Sequence, residues 1–328
     1  MNDTATSPAP AAPASTALVL SDDLRARIED GLHEARGTMA EETVRALRKG
    51  VTAFAAWCAP RGFCPLPAAP DVVAAYVDDL HDQGRKPAGI RQAVWAIGRL
   101  HTLARLDNPT EDQVVALAVK RVVRASGSRQ RQAAPLGELA VARIQATTGL
   151  KLSDLRDLAM LLVARDLLAR RSEVVALHVE DVEFAANGTA TALIRRSKTD
   201  QAGEGVVLFL GQSTVTALRD WLNAAGIVAG PVFRPVNKGG RIGADALDPS
   251  KVAAILKRMA GRAGLDATRI SGHSCRVGMA QDLVASGADT AAVQQAGRWK
   301  TPVMPARYVE HLEAGRGAVA RYHQRRGD

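Results

Sequence analysis

The chain has 328 residues, of which 47% are hydrophobic and only 4% aromatic, and it carries a net charge of +9 with an isoelectric point of about 9.9. Its length suggests about two domains, and cores built mostly from aliphatic residues favour close-packed helices over β-sandwiches. Three widely spaced cysteines exclude a disulfide framework and a cysteine-based zinc site, and no apolar run approaches the ~18 residues of a membrane span.

The basic charge favours a polyanionic partner, although a solvated basic surface would give the same net charge. The N-terminus has no basic segment followed by an apolar one, so no secretion signal is predicted. The seven histidines show no pairing at metal-ligand spacing. The sequence therefore predicts a soluble, cytoplasmic protein of a reducing compartment, with no membrane partner, no metal and no other cofactor.

The first part of the chain predicts a tail and a helical domain. Residues 1–18 are rich in alanine, proline, serine and threonine and almost uncharged, which predicts a disordered tail. Residues 19–126 predict a compact bundle of four or five helices. Apolar residues recur there at helical spacing in three segments, 40–58, 71–82 and 88–105. Thr110 with Gln113 predicts a capping-box start for a further helix that runs to about Arg124.

Residues 127–135 are small, polar and basic and predict a linker, after which a second domain occupies residues 136–328. That domain predicts helices near 137–147 and 153–169, a β-hairpin with strands near 190–196 and 205–210, and four or more helices after it. We therefore predict a mainly α protein, in which a helical bundle precedes a mainly helical α+β domain with a small β-hairpin sheet.

Basic and polar side chains cluster on three predicted bundle helices and on one helix near 249–262 in the second domain. Such side chains bind phosphates, and arginine and lysine also read guanine edges. For any single residue, a solvated surface is the alternative. The candidates for DNA binding are Arg45, Lys49, Arg85, Lys86, Arg91, Gln92, Arg121, Arg124, Ser250 and Lys251.

Four places in the second domain carry residues suited to phosphate chemistry. In chain order they are Arg170 with Glu173, Lys198 in the hairpin loop, His273 with Arg276, and Trp299 with Tyr308 nine residues later. Taken singly, each has an ordinary explanation: a cation at a helix C-terminus, a solvent-exposed turn, a polar helix start and two core aromatics. Their order along the chain is more informative than any one of them.

This order resembles the tyrosine recombinase (phage integrase) family, and within it the Cre-like site-specific recombinases. The segments that carry the resemblance are HSCRVG, QQAGRW with a tyrosine nine residues after the tryptophan, and AFAAWCAPRGFCPLPAAPDVVAAYV in the first domain. It covers roughly residues 25–325. It implies a SAM-like core-binding domain over 19–126 and a catalytic domain with a C-terminal subunit-docking helix over 136–328, the two forming a C-shaped DNA clamp.

The resemblance implies the central chemistry of the site. Tyr308 is the nucleophile that attacks a scissile phosphodiester, expels a 5′-hydroxyl and forms a 3′-phosphotyrosyl link. This link keeps the energy of the phosphodiester bond, so resealing needs no ATP. Arg170 and Arg276 bind the non-bridging phosphate oxygens with charged, planar guanidinium groups. Lys198 acts as the general acid that protonates the leaving oxygen.

The resemblance also assigns supporting roles. Trp299 donates its indole N–H to a non-bridging oxygen, His273 orients the phosphate or accepts a proton, and Glu173 holds an arginine or histidine in place. The sequence departs from the family at Arg171, where an apolar residue is usual. Arg171 could therefore contribute to the site or compete with Arg170. Trp299 replaces the histidine of most members, and Cys275 inside the His–Arg motif is interpreted as a core residue.

The implied partner is double-stranded DNA with inverted-repeat target sites, bound by a homotetramer that is monomeric when free. The leading hypothesis is a site-specific recombinase that works through a Holliday junction. One alternative is a topoisomerase IB-like or replicon-resolving enzyme without strand exchange, and another is a catalytically silent DNA-binding protein. The complete set from Arg170 to Tyr308 argues against the silent protein.

Overall fold

The computed structural model describes residues 22–35, 37–127, 129, 132–197, 200, 203–315 and 317–326. The predicted tail at 1–18 lies outside the described residues. The described chain is mostly helical with one small antiparallel sheet, which confirms the predicted fold class. It divides into two compact units, residues 1–130 and 131–328. None of the described helices is both long and apolar enough to cross a membrane.

The first unit is a helical bundle. Its helices are α1 (Asp22–Glu34), α2 (Glu41–Cys58), α3 (Pro70–Asp82), α4 (Pro87–Leu103) and α5 (Gln113–Ser126). The apolar faces predicted from the sequence meet in a core where Phe54 packs against the rings of Trp57 and Tyr76. Proline at the start of α3 and of α4 suits a first helical turn, because the missing N–H has no partner there.

The start of α5 differs from the prediction. Thr110 lies in a short 3₁₀ turn and donates its hydroxyl to Asn108 Oδ1 at 2.8 Å, so it does not cap the helix. Asp112 is the N-cap instead, and its Oδ1 accepts a hydrogen bond from the Val114 N–H at 2.8 Å. The capping-box prediction was wrong because a residue two positions later offers the same kind of oxygen.

One buried histidine links the stability of the first unit to pH. The His101 ring is completely buried, and it accepts a hydrogen bond from the Ala68 N–H at Nε2, 2.9 Å away. Its Nδ1 lies 2.8 Å from the Ile97 carbonyl oxygen, so Nδ1 carries the proton and the ring is neutral. Burial lowers the pKa of His101, since the charged form loses its hydration.

We expect the free energy of unfolding of the first unit to fall as pH drops below about 6.5, the value for an unfolded histidine. Between the folded and unfolded pKa values the unfolded chain binds more protons, so stability decreases there; above that window this contribution is constant. Hydrogen exchange of α4 peptides under urea, at about pH 7.5 and about pH 5.5, measures it. His101→Gln, which cannot titrate, should show a smaller difference; an equal difference would contradict the assignment.

The second unit contains the sheet and the remaining helices. Its elements are α6 (Glu138–Ala146), α7 (Leu152–Asp166), α8 (Arg171–Val175), β1 (Val182–Phe184), β2 (Ala190–Ile194), β3 (Val206–Leu210), α9 (Gln212–Ala225), α10 (Pro249–Arg262), α11 (Ser274–Ala285), α12 (Thr290–Ala296), α13 (Val303–Ala314) and α14 (Ala318–Arg326). The strand order is β1-β2-β3, antiparallel throughout, with Leu193 opposite Val207. The predicted hairpin corresponds to β2 and β3. Strand β1 was not predicted, because it has too few residues to show an alternating pattern.

The end of the predicted linker and the residue that follows it are hydrogen-bonded to the start of α11 and to the turn before it. The Leu136 N–H donates to the Ser274 carbonyl oxygen at 3.0 Å, and the Ala134 N–H donates to the Arg269 carbonyl oxygen at 2.9 Å. A Cβ added at Gly278 would lie 2.2 Å from the Leu136 carbonyl oxygen, so only glycine allows this approach. These contacts fix the helix that begins with the His–Arg motif.

Candidate active site

Arg170 lies at the start of α8. It was predicted at the end of an apolar helix, but α7 ends at Asp166 and Leu168 turns the chain with a φ of 41°. The Arg170 N–H donates to Glu173 Oε2 at 2.9 Å, and its Nη1 donates to Glu173 Oε1 at 2.6 Å. The Glu173 carboxylate therefore fixes both the backbone and the guanidinium of Arg170. Arg171 is exposed, and the Cβ of a residue at Gly272 would lie 3.6 Å from its Cδ.

Arg276 lies in the first turn of α11, and His273 directly precedes that helix. His273 is the exposed N-cap residue, and its backbone N–H donates to Ser271 Oγ at 3.1 Å. Arg276 is only 2% exposed, and its guanidinium donates to the carbonyl oxygen of Leu168 and, at 2.8 Å, to that of Gly297. Neutral carbonyls orient the guanidinium without cancelling its charge. Burial, and then the positive charge of Arg170, lower the pKa of Arg276 to about 10, so it is charged at neutral pH.

Trp299 and Tyr308 continue this cluster. The Arg276 guanidinium carbon lies 4.5 Å from the centre of the Trp299 ring, and the Trp299 and Tyr308 rings meet edge to face with centroids 5.7 Å apart. A Cβ at Gly297 would lie 1.7 Å from the indole ring, so the glycine two residues before Trp299 makes room for it. The structure thus brings together five of the predicted site residues: Arg170, Glu173, Arg276, Trp299 and Tyr308.

Tyr308 lies on α13 and is partly buried. Burial raises the pKa of its phenol, while the positive charge of Arg276 acts in the opposite direction. The carbonyl oxygen of Tyr308 accepts hydrogen bonds from Gln281 Nε2 at 2.9 Å and Gln132 Nε2 at 3.3 Å. Neither glutamine was predicted from the sequence, because these contacts span 27 and 176 positions of the chain.

Glu173 has a second arginine partner, Arg298, which was not predicted from the sequence. Arg298 Nη2 donates to Glu173 Oε2 at 2.9 Å and to the Leu167 carbonyl oxygen at 3.2 Å. Glu173 is 4% exposed and lies between two guanidinium groups. The only sequence signal for Arg298 was its position directly before Trp299.

Lys198, the predicted general acid, lies outside the described residues. On its N-terminal side, Arg195 Nε pairs with Asp181 Oδ1 at 2.5 Å. On its C-terminal side, the carboxylate of Asp200 accepts hydrogen bonds from the N–H groups of Gly203 and Gly205, both at 2.9 Å. These backbone hydrogen bonds, that of Gly205 first, lower the pKa of Asp200. Both ends of the β2–β3 loop are therefore held by carboxylates.

The predicted DNA-binding residues are all exposed. This holds for Arg45, Lys49, Arg85, Lys86, Arg91, Gln92, Arg121, Arg124, Ser250 and Lys251. Two of them form surface ion pairs: Arg45 with Glu42 at 2.8 Å, and Arg121 with Asp78 at 2.7 Å. Exposed pairs of this kind are weak, so phosphate can replace the carboxylates.

The cysteine of this unit is a core residue, and the described residues show no metal site. Cys275 is 1% exposed, and burial raises the pKa of its thiol to about 12, as suits a core residue. Within the ranges that the structure describes, no three His, Cys, Asp or Glu side chains are grouped so that they could hold a metal ion.

Comparison with known proteins adds independent evidence. Residues 136–314 match the family described as the phage integrase family. An integrase/recombinase xerD homolog of Selenomonas ruminantium is 32% identical over 281 residues, which cover 83% of this chain and 82% of that protein. The recombinase cre of Escherichia phage P1 is 26% identical over 319 residues, covering 92% and 93%.

Solved structures agree on the fold. The Tn1549 transposon integrase in complex with transposon right end DNA superposes with a TM-score of 0.60 at 12% identity, covering 86% of this chain and 94% of that one. A lambda integrase dimer bound to a COC′ core site gives 0.58 at 17% identity, covering 86% and 96%. The resemblance inferred from the sequence is thereby confirmed, and the chain belongs to the phage integrase family of tyrosine recombinases, which are DNA strand transferases.

Proposed function

We propose that this protein is a site-specific recombinase that cleaves and rejoins DNA through Tyr308. The observation that carries the proposal is one cluster in which Arg276, Trp299 and Tyr308 are in contact and the charge of Arg170 acts on Arg276 and Tyr308, although Arg170 and Tyr308 are 138 residues apart in sequence. Two arginines whose charges act on a tyrosine phenol suit an attack on a phosphodiester, because guanidinium groups stabilise the charge that develops on the non-bridging oxygens.

In the proposed cleavage step, Tyr308 Oη forms a bond to the scissile phosphorus and the bond from phosphorus to the 5′-oxygen breaks. Lys198 gives a proton to the leaving 5′-oxygen, and His273 receives the phenol proton. Because the pKa of Tyr308 is raised, the phenol holds its proton until attack, so an acceptor is required. Rejoining runs the same step in reverse with a 5′-hydroxyl as nucleophile, and it needs no external energy source.

The proposal gives Trp299 and Glu173 supporting tasks. The Trp299 ring contacts both Arg276 and Tyr308, which would hold its indole N–H towards a phosphate bound beside them. Glu173 fixes the Arg170 guanidinium from behind, since its carboxylate bonds to Nη1 and to the Arg170 backbone. Strand exchange between two duplexes through a Holliday junction, by four copies of the chain on paired inverted repeats, completes the proposal.

A covalent adduct with DNA is the decisive test. The protein is incubated with DNA fragments from its source that carry inverted repeats, and adducts are separated on a denaturing gel. Exchange between two differently labelled duplexes would support the recombinase. Adducts with supercoil relaxation but no exchange would favour the topoisomerase-like alternative, and absence of adducts with every repeat would favour a DNA-binding protein without catalysis.

The last helix supports the proposed assembly. None of the residues of α14 is buried, and its Tyr322 is 55% exposed. A helix with this little contact to its own unit suits docking on a neighbouring copy. We expect a chain that ends at Gly315 to bind a single site with nearly unchanged affinity but to lose tetramers on paired sites. Mobility shifts over a range of protein concentrations measure both; equal loss of both would contradict the docking role.

A further inference from the structure

Arg298 is a partly buried arginine in an unusual backbone conformation. It lies between Gly297 and Trp299 with a φ of 56°, in the left-handed region that disfavours side chains. Its side chain is only 12% exposed. Glycine would occupy this position without strain, so the arginine side chain is retained at a cost to the stability of the fold.

The contacts of Arg298 add to that cost. Its Nη2 donates to Glu173 Oε2 at 2.9 Å and to the Leu167 carbonyl oxygen at 3.2 Å. Its Nε and Nη1 are buried without a hydrogen-bond partner among the described residues. Buried N–H groups on a charged side chain are almost always paired, because leaving them unpaired is unfavourable. Stability of the fold alone therefore does not explain this residue.

The charge of the cluster points to a role in the chemistry. Glu173 bonds to Arg170 at 2.6 Å and to Arg298 at 2.9 Å, and Arg276 lies close enough to both arginines for their charges to lower its pKa. If Glu173 bonded to Arg170 alone, it would cancel most of that guanidinium's charge. With Arg298 sharing the carboxylate, three guanidinium groups face one carboxylate, and the cluster keeps an excess of positive charge.

We propose that Arg298 is a positioning residue for strand cleavage: it holds the far side of the Glu173 carboxylate and keeps Arg170 electrostatically available to the scissile phosphate. This inference rests on the proposed role of Arg170 at the phosphate. Arg298 acts through Glu173, so its removal affects cleavage less than the 10²–10³-fold of a direct donor; we expect a loss of about 10-fold to 100-fold.

The test compares Arg298→Gly with the unaltered chain. Glycine suits the backbone at this position, so the change removes the side chain without adding strain. Single-turnover cleavage of a nicked DNA substrate that traps the adduct should be slower by about 10-fold to 100-fold, with unchanged DNA affinity. Arg105→Gly is a matched control, because Arg105 also has a positive φ of 54° but pairs with Glu34 on the surface. It should cleave at the unaltered rate.

A second readout separates electrostatics from packing. A substrate with a methylphosphonate at the scissile position lacks the charge on a non-bridging oxygen, so excess positive charge matters less. The rate ratio between the unaltered chain and Arg298→Gly should shrink towards one on this substrate. On the ordinary phosphodiester, Arg298→Lys keeps the positive charge and should cleave at close to the unaltered rate, and this result decides the question if the glycine variant folds poorly.

Two results would overturn the inference while leaving the proposed function intact: equal cleavage by Arg298→Gly and the unaltered chain, or a rate ratio that is the same on both substrates. The second outcome would assign Arg298 to packing alone. If instead the unaltered chain forms no adduct on any repeat, the proposed function itself fails, and Arg298 loses its role with it.

Discussion

Replacing Tyr308 with phenylalanine is expected to abolish the covalent protein–DNA adduct and to leave DNA binding unchanged. Phenylalanine keeps the ring that packs edge to face on Trp299, 5.7 Å between centroids, and removes only the hydroxyl. The carbonyl of residue 308 still accepts the amide hydrogen bond from Gln281, so the position of α13 is preserved. Adduct yield on a denaturing gel and a mobility shift on intact DNA measure the two effects.

The chain offers a complete set of controls, because it contains three tyrosines. Tyr76 is 4% exposed in the core of the first unit, and Tyr322 is 55% exposed on α14. Tyr76→Phe and Tyr322→Phe should both still form the adduct. An undiminished adduct from Tyr308→Phe would show that the nucleophile has been misassigned, and loss of it in Tyr322→Phe alone would move the assignment to α14.

The sequence predicts most of the fold because helical periodicity is local. The pattern near 249–262 corresponds to α10 at both ends, and the His–Arg motif lies at the start of α11, with His273 as N-cap and Arg276 in the first turn. Arg170 was misplaced for a local reason that periodicity does not show. Leu168 adopts a positive φ, which ends the preceding helix early and lets Arg170 begin the next one.

Contacts between distant parts of the chain limited prediction of the site. Arg298 meets Glu173 across 125 positions, and Arg276 meets the Leu168 carbonyl across 108. Such pairs depend on how α8, the turn before it, α11 and the turn before Trp299 pack together, and the pattern of a single sequence does not show that packing. A family resemblance can supply the residues that the family shares, but Arg298 was not among the residues it supplied.

Arg276→Lys is expected to slow single-turnover cleavage by about 10²–10³-fold, with DNA affinity changed much less. Arg276 is 2% exposed, and its pKa of about 10 keeps it charged at neutral pH. Lysine keeps a positive charge but lacks the planar fork that bonds to the Leu168 and Gly297 carbonyls and lies over the Trp299 ring. Because the charge is retained, the decrease in rate reports the contribution of the planar guanidinium geometry.

Burial alone must be separated from this effect, because lysine in place of any buried arginine lowers stability. Arg156 is a matched control: it is 4% exposed in the same unit, and it pairs with Asp157 at 2.6 Å. Arg156→Lys should lower the melting temperature yet cleave at the unaltered rate per folded molecule. If both variants lose cleavage in proportion to stability, Arg276 acts only in folding. If Arg276→Lys alone loses cleavage, the guanidinium of Arg276 acts on the phosphate. Loss of its hydrogen bonds to the two carbonyls would lower stability but would not by itself slow the reaction.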